Sequence, residues 1–334
     1  MDAPLLYRQL MAQLSQWVNP KDVRHLQEVS EAVGAILQSQ EACPALWLPY
    51  LSHRDGSARA HLERIQYLLE NPQICAERFY YPLLQKVLSA FANASLTLAF
   101  DTSLLWNEYC LVEVSLIWGG RSLTVAQLVL EHASARVAFE DYHPVLEQAY
   151  GQILPGCTVT LLADQGFDHK QLLQWLQAHH WEWLIRLKCD VSLRLASGRF
   201  CQVEDLWPPQ DDAYLYRHIE VYDEIEAHLA TAHLSTASEP WAVLSSSPPS
   251  LQTFEQYGQR FGGIEPHFKD YKSAGFDLAR SRIRDAQRLT SLVMLLDMAL
   301  LIAVVVGILV VQAGYRSRLD WHGERGLSFL QLGL

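Results

Sequence analysis

The chain has 334 residues and a mass of 38.0 kDa, 50% hydrophobic and 19% charged. That excludes disordered, collagen-like and low-complexity classes and leaves one large domain or two modest ones. Its net charge of -11 argues by itself against a nucleic-acid binder, because such proteins carry a basic footprint that neutralises phosphates. The six cysteines stand singly, with no CxxC and no paired Cys/His spacing. Neither a zinc ribbon nor a disulfide framework is therefore indicated, and a reducing cytoplasm is the expected setting. No basic and apolar leader opens the chain, so secretion is not expected.

Residues 1–90 read as a compact helical module, either a DNA-binding one or an ordinary helical bundle, since helical periodicity alone reports burial. The stretches 5–18, 22–40 and 58–71 repeat apolar residues at three- and four-residue intervals, and Pro20, Pro44, Pro49 and Pro72 punctuate them. From residue 95 the texture changes. The runs 95–103, 109–120 and 121–130 are rich in Val, Leu, Ile and Thr and are broken by Gly119-Gly120, which predicts an antiparallel meander. A helix is expected over 143–154, then a strand buried on both faces over 157–164. A second helix over 168–180 has Asp168 as its expected N-cap, and a strand follows over 182–188. Residues 189–250 hold short β-like pieces among acids and end in SSSPPS, which reads as a β-rich insertion closed by a turn-rich linker. Residues 254–296 read as mostly helical, interrupted at Gly262-Gly263 and near Gly275. The apolar run 298–311 is shorter than the roughly 20 residues a membrane span needs. Asp297 and Gln312 bound it, so a buried core helix is expected, with a tail-anchored membrane protein as the competing reading.

Two carboxylates stand where strands are expected to end, Asp101 after SLTLAF and Asp164 after CTVTLLA. On neighbouring strands they project into one site, which suits Mg²⁺, an ion that takes hard oxygen ligands. Two such ions side by side activate the attacking oxygen and stabilise the leaving one in phosphodiester cleavage. The competing reading is that each Asp caps a strand or a following helix. The charge is also uneven, since of the segments 1–90, 91–184, 185–256, 257–288 and 289–334 only 257–288 has more basic than acidic residues.

LAFDTS at 98–103, LLADQGF at 161–167, WLIRLK at 183–188 and YGQRFGGIEPHFKDYKSAGFDL at 257–278 resemble, in order and spacing, the DDE transposases of bacterial insertion sequences. The likeness is to the branch with a Tyr-Arg-Glu-Lys signature, and it runs over most of the chain. It implies a ribonuclease-H-like mixed α/β sheet flanked by helices. The helical module at 1–90 would bind DNA ends, 91–188 would form the first part of the catalytic domain, 189–250 the β-rich insertion before the third acid, and 251–334 the C-terminal helical part.

The resemblance implies that Asp101, Asp164 and Glu265 are the catalytic, metal-binding triad, with Mg²⁺ as cofactor and Mn²⁺ as its substitute. It also implies that Tyr257, Arg260 and Lys272 contact phosphates of the element's end. Lys269, Arg280, Arg282 and Arg284 extend this basic path. Glu265 and Lys272 are seven apart and share a face of a helix expected to begin at Pro266. One residue more separates Arg260 from Glu265 than the signature has, and a loop at Gly262-Gly263 is expected to absorb it.

The activity implied is metal-dependent cleavage at terminal inverted repeats and strand transfer into target DNA, by a homodimer assembled on DNA in a bacterial cytoplasm, at the nucleoid. A DNA-binding remnant or regulator that holds ends without cutting is the alternative. Trp207 and Trp241 are candidates for stacking on an unpaired base or for ordinary core packing. His179-His180 lack any accompanying metal-site spacing. Ser245 and Ser247 lack a nucleophile elbow, and no GxxxxGK[ST] loop signals a nucleotide cofactor.

Overall fold

The computed structural model describes residues 3–52, 56–272, 275–321 and 326–334. The chain opens with α1 (Ala3–Leu14) and α2 (Val23–Ser39), then α3 (Pro44–Trp47), α4 (Ala58–Glu70), α5 (Ala76–Phe79) and α6 (Tyr81–Leu88). Asp22 starts α2 by accepting from the Arg24 amide, and Ser57 starts α4 by accepting from the Ala60 amide, which satisfies N–H groups that a helix leaves open.

The strands β1 (Ser95–Leu105), β2 (Tyr109–Trp118) and β3 (Arg121–Glu131) form the expected meander. The β2–β3 hairpin turns through the two residues Gly119-Gly120 and the β1–β2 hairpin through the three residues 106–108; both glycines, Trp106 and Asn107 carry positive φ, the sense that matches strand twist in tight hairpins. Helix α7 (Phe139–Gln152) then leads to β4 (Thr158–Ala163), and α8 (Lys170–Ala178) to β5 (Glu182–Arg186). Here β4 lies parallel to β1 and β5 parallel to β4.

The segment read as an insertion supplies β6 (Ser192–Arg194), β7 (Phe200–Gln202), β8 (Asp212–Val221), β9 (Ile225–His233) and β10 (Trp241–Ser245). It does not stand apart. β10 pairs antiparallel with β5, so all strands belong to one mixed sheet in the order β3-β2-β1-β4-β5-β10-β9-β8-β6-β7. The first five strands of that order, three antiparallel followed by two parallel, are the ones the resemblance assigns to the catalytic sheet.

Three departures from the sequence expectations concern helices. First, α9 (Gln252–Lys272) is continuous through Gly262-Gly263, and Pro266 lies inside it. Gly263 is buried against β2, where an added Cβ would come within 2.9 Å of Ile117, so the glycine permits close approach of helix to sheet and makes no loop. Second, α8 begins after His169, which leaves Asp168 free for another role. Third, α10 (Ala286–Gln312) extends the apolar run well toward the N-terminus. By length and composition α10 could cross a membrane, yet 67% of its most apolar window is buried inside the fold. It packs on β3, α2 and α4, and on the C-terminal α12 (Phe329–Gly333), which follows α11 (Arg316–Leu319). The N-terminal helices thus share one continuous core with the sheet and α10.

Candidate active site

Parallel pairing of β1 with β4 matches Phe100 to Ala163, so Asp101 and Asp164 follow side by side. Asp164 stands just beyond the end of β4. Asp101, expected at a strand end, lies within β1, because the β1–β2 pairing continues to Leu105 and Tyr109. The backbone occupies one oxygen of each. Asp101 Oδ1 accepts from the Thr102 amide at 2.8 Å and Asp164 Oδ1 from the Gly166 amide at 2.7 Å.

Helix α9 crosses this face of the sheet and brings two further residues. The Arg260 guanidinium donates to Asp101 Oδ2 at 2.6 Å and lies 3.8 Å from Asp164 Oδ2 and 3.8 Å from Glu265 Oε1. The three acids are therefore gathered around one cation. The Arg260 side chain is 6% exposed and that of Asp101 14%, against 38% for Asp164 and 41% for Glu265. The site thus has a buried floor and an open rim. Burial pushes the Asp101 carboxyl up to about 7, and Asp164 adds to the rise against the pull of Arg260. Lys272, half-buried near Asp101, is lowered by burial, which outweighs that carboxylate.

Two residues expected on phosphates are not presented to solvent. Tyr257 is buried edge-on against Trp241 at 5.7 Å and Phe261 at 6.0 Å, and burial raises its phenol to about 12. Arg260 turns inward to the acids. The physical reason is one of register, since residues 257, 260 and 264 lie on the face of α9 that meets the sheet. Of the remaining basic residues, Lys269 and Arg282 are exposed. Arg280 pairs with Glu41, and Arg284 pairs with Glu108 at 3.3 Å while lying 3.7 Å over the Trp106 ring. Trp207 is half-buried and packs against the main core, and Trp241 forms an aromatic wall with Tyr257 and Phe261. His179 stacks on Trp175 at 4.0 Å, and Ser245 Oγ donates to the Ser247 carbonyl at 2.8 Å.

A clamp absent from the sequence reading steadies the loop after Asp164. Buried Asp168 accepts from Lys188 Nζ at 2.6 Å, and its carbonyl accepts from the Tyr222 hydroxyl at 2.6 Å. Beneath the site lies a second unforeseen group. Buried Glu113 meets His267 Nε2 at 3.1 Å. Thr124 contacts His267 at 3.3 Å and donates to Asp297 at 2.8 Å, and Asp297 also accepts from Tyr271 and Gln127. Glu113 inside an apolar strand and Asp297 inside an apolar helix were the available signals, because a buried charge demands a partner.

Three carboxylates from three elements are a hard-oxygen donor set of the kind Mg²⁺ and Mn²⁺ take. As their side chains stand they grip Arg260, and among the described residues no group of three or more His, Cys, Asp and Glu is arranged to hold a metal ion.

Residues 116–302 match the family model described as "Transposase DDE domain". No curated protein matches the chain. Among solved structures, the chain is similar to a piggyBac transposase in a synaptic complex with hairpin DNA, with 10% identity, a TM-score of 0.47, and coverage of 99% of this chain and 78% of that one. With more than half of its length matched by that model, the chain belongs to the family of transposases with a DDE domain.

Proposed function

We propose that this transposase cuts DNA at the terminal inverted repeats of a bacterial insertion sequence and joins the freed 3′-hydroxyl to target DNA. One observation carries this reading: Asp101, Asp164 and Glu265, far apart in sequence, converge on a single guanidinium at 2.6 to 3.8 Å. A cation-binding acidic site over the adjacent interior strands β1 and β4 of a ribonuclease-H-like sheet suits in-line displacement at phosphorus. Divalent cations held by these carboxylates, Mg²⁺ or in its place Mn²⁺, would supply an activated oxygen nucleophile and neutralise charge on the leaving oxygen.

The protein's own part is placement. The backbone bonds at Thr102 and Gly166 fix one oxygen of each aspartate, and the Lys188–Asp168 clamp holds the Asp164 loop. Lys269, Lys272, Arg280, Arg282 and Arg284 lie on the stretch proposed to follow the DNA backbone, with residues 1–90 contributing end recognition. The catalytic domain then comprises 91–188 and 251–334, with 189–250 inserted between. Two ends must meet, so a homodimer on DNA is proposed.

The test uses end DNA taken from the sequence flanking the gene, labelled and incubated with Mg²⁺ or Mn²⁺. Wild-type protein should nick it at the repeat boundary. Asp101→Asn, Asp164→Asn and Glu265→Gln should each lose roughly a thousandfold or more in rate while still shifting the end in a gel. Wild-type protein that binds ends and never nicks in either metal would sink the cleavage reading and leave an end-binding regulator.

A further inference from the structure

The oxygens of Asp101 and Asp164 divide their work in the same way. In each, Oδ1 is taken by a backbone amide, and in each Oδ2 faces the same nitrogen, Arg260 Nη2, at 2.6 and 3.8 Å. Glu265 Oε1 completes the ring 3.8 Å from Nη1. Of the oxygens left free by the backbone, Asp101 Oδ2 is bonded by the guanidinium and Asp164 Oδ2 lies 3.8 Å from it. Arg260 is nonetheless poorly satisfied for a buried arginine. Of its three carboxylate contacts only that to Asp101 is within hydrogen-bonding distance, and its buried Nε has no partner. A guanidinium with a purely structural role normally has its planar fork of donors matched.

We propose that Arg260 is a built-in competitor of the divalent cations, a latch that must leave Asp101 Oδ2 before a metal can bind there. This rests on the reading of Asp101, Asp164 and Glu265 as metal-holding residues. The guanidinium and a divalent cation compete for that oxygen, because a metal held at about 2.1 Å from it would stand beside a second cation that repels it. The way out is toward the rim, where Asp164 and Glu265 are exposed. An arginine released there presents its fork to a DNA phosphate, for which that geometry is suited. Entry of the cations and engagement of the DNA backbone by Arg260 are thereby coupled, and without DNA the latch keeps metal affinity low.

The test is Mn²⁺ binding to the full chain without DNA, read from the electron paramagnetic resonance signal of free Mn²⁺. Arg260→Gln should bind Mn²⁺ about tenfold more tightly than wild type or better, since a repelling charge some 4 Å away is gone. Arg260→Lys, which cannot span both aspartates, should show a smaller gain of about threefold. Asp101→Asn should bind far more weakly. Equal or weaker binding in Arg260→Gln, with binding still lost in Asp101→Asn, overturns the latch and leaves the triad standing. Unchanged binding in Asp101→Asn and Asp164→Asn instead overturns the triad reading. Circular dichroism reports whether Arg260→Gln has folded. If it has not, Arg260→Lys is judged alone, tighter binding supporting the latch and equal or weaker binding refuting it.

Discussion

Asp101 and Glu113 stand directly opposite each other across the β1–β2 pair, and α9 sets a cation-forming side chain against each. Arg260 lies 2.6 Å from Asp101 and His267 3.1 Å from Glu113. Arg260 and His267 are seven residues apart, two helical turns, so both fall on the face of α9 that meets the sheet. Two charge pairs thus pin one helix to two strands, one pair at the open site and one sealed beneath it.

The sealed pair makes a prediction about stability. His267→Ala leaves the Glu113 carboxylate, which is 0% exposed, without its partner, and removing one member of a buried pair costs about 3–5 kcal/mol. Adding Glu113→Gln should return a large part of that loss. Urea unfolding of both single variants and the double variant measures the coupling. Costs that simply add would show that the two side chains do not act as a pair.

The same cluster predicts how stability responds to pH. Burial raises the Asp297 carboxyl from 3.8 to about 7, and Glu113 pushes in the same direction. Burial lowers His267, but Glu113, Asp297 and Asp270 together outweigh it and raise the imidazole above 6.5. Between these ordinary and raised values the folded chain keeps protons that the unfolded chain has released, so stability falls as pH rises. The His267 contribution is complete below 6.5 and fades as pH passes its raised value, which adds to the same trend. The melting temperature should drop by roughly 5 °C between pH 5 and pH 8, and Asp297→Asn should flatten the slope. A wild-type melting temperature that stays level or climbs over that range contradicts this assignment.

At the C-terminus, α12 lies so close to α10 that a Cβ at Gly307 would collide with the Phe329 carbonyl oxygen. Backbone cannot give way as a side-chain tip can, so Gly307→Ala should unseat α12 and cost about 2 kcal/mol. Hydrogen exchange at residues 329–333 should speed up in the variant. Unchanged exchange there would mean that the two helices can separate slightly without loss.

Salt dependence distinguishes the basic residues. Among the described residues no acidic side chain pairs with Lys269 or Arg282, whereas Arg280 and Arg284 are already answered by Glu41 and Glu108. Lys269→Ala and Arg282→Ala should each lower the log–log salt slope of end binding by roughly 1, and Arg280→Ala and Arg284→Ala by less. Titrations at several salt concentrations measure this. Slopes equal to wild type in the first two variants would route the DNA elsewhere, most directly over the N-terminal helices.

The long helices at the N-terminus, the meander from residue 95 and the strands on either side of α8 were legible in the sequence, because apolar periodicity is a local property that burial imposes on each element separately. Asp101 and Asp164 were legible as neighbours for the same reason, each following an apolar run. Tertiary structure alone decided what those acids face. The direction of Arg260 depends on how α9 rotates over β1 and β2, and that rotation is set by Gly263 against Ile117 and by the pairing of His267 with Glu113, contacts between residues some 150 positions apart in the second case. The fate of 189–250 was likewise hidden. Short alternating strands report that they need partners without saying which edge will provide them, and only the β5–β10 pairing joined them to the sheet. The sequence by itself determined which residues carry charge and where most helices and strands lie, though not the continuity of α9 or the extent of α10. The packing of α9 on the sheet decided that an arginine expected on the DNA sits among the acids, because a side chain's partner follows from register over the whole fold.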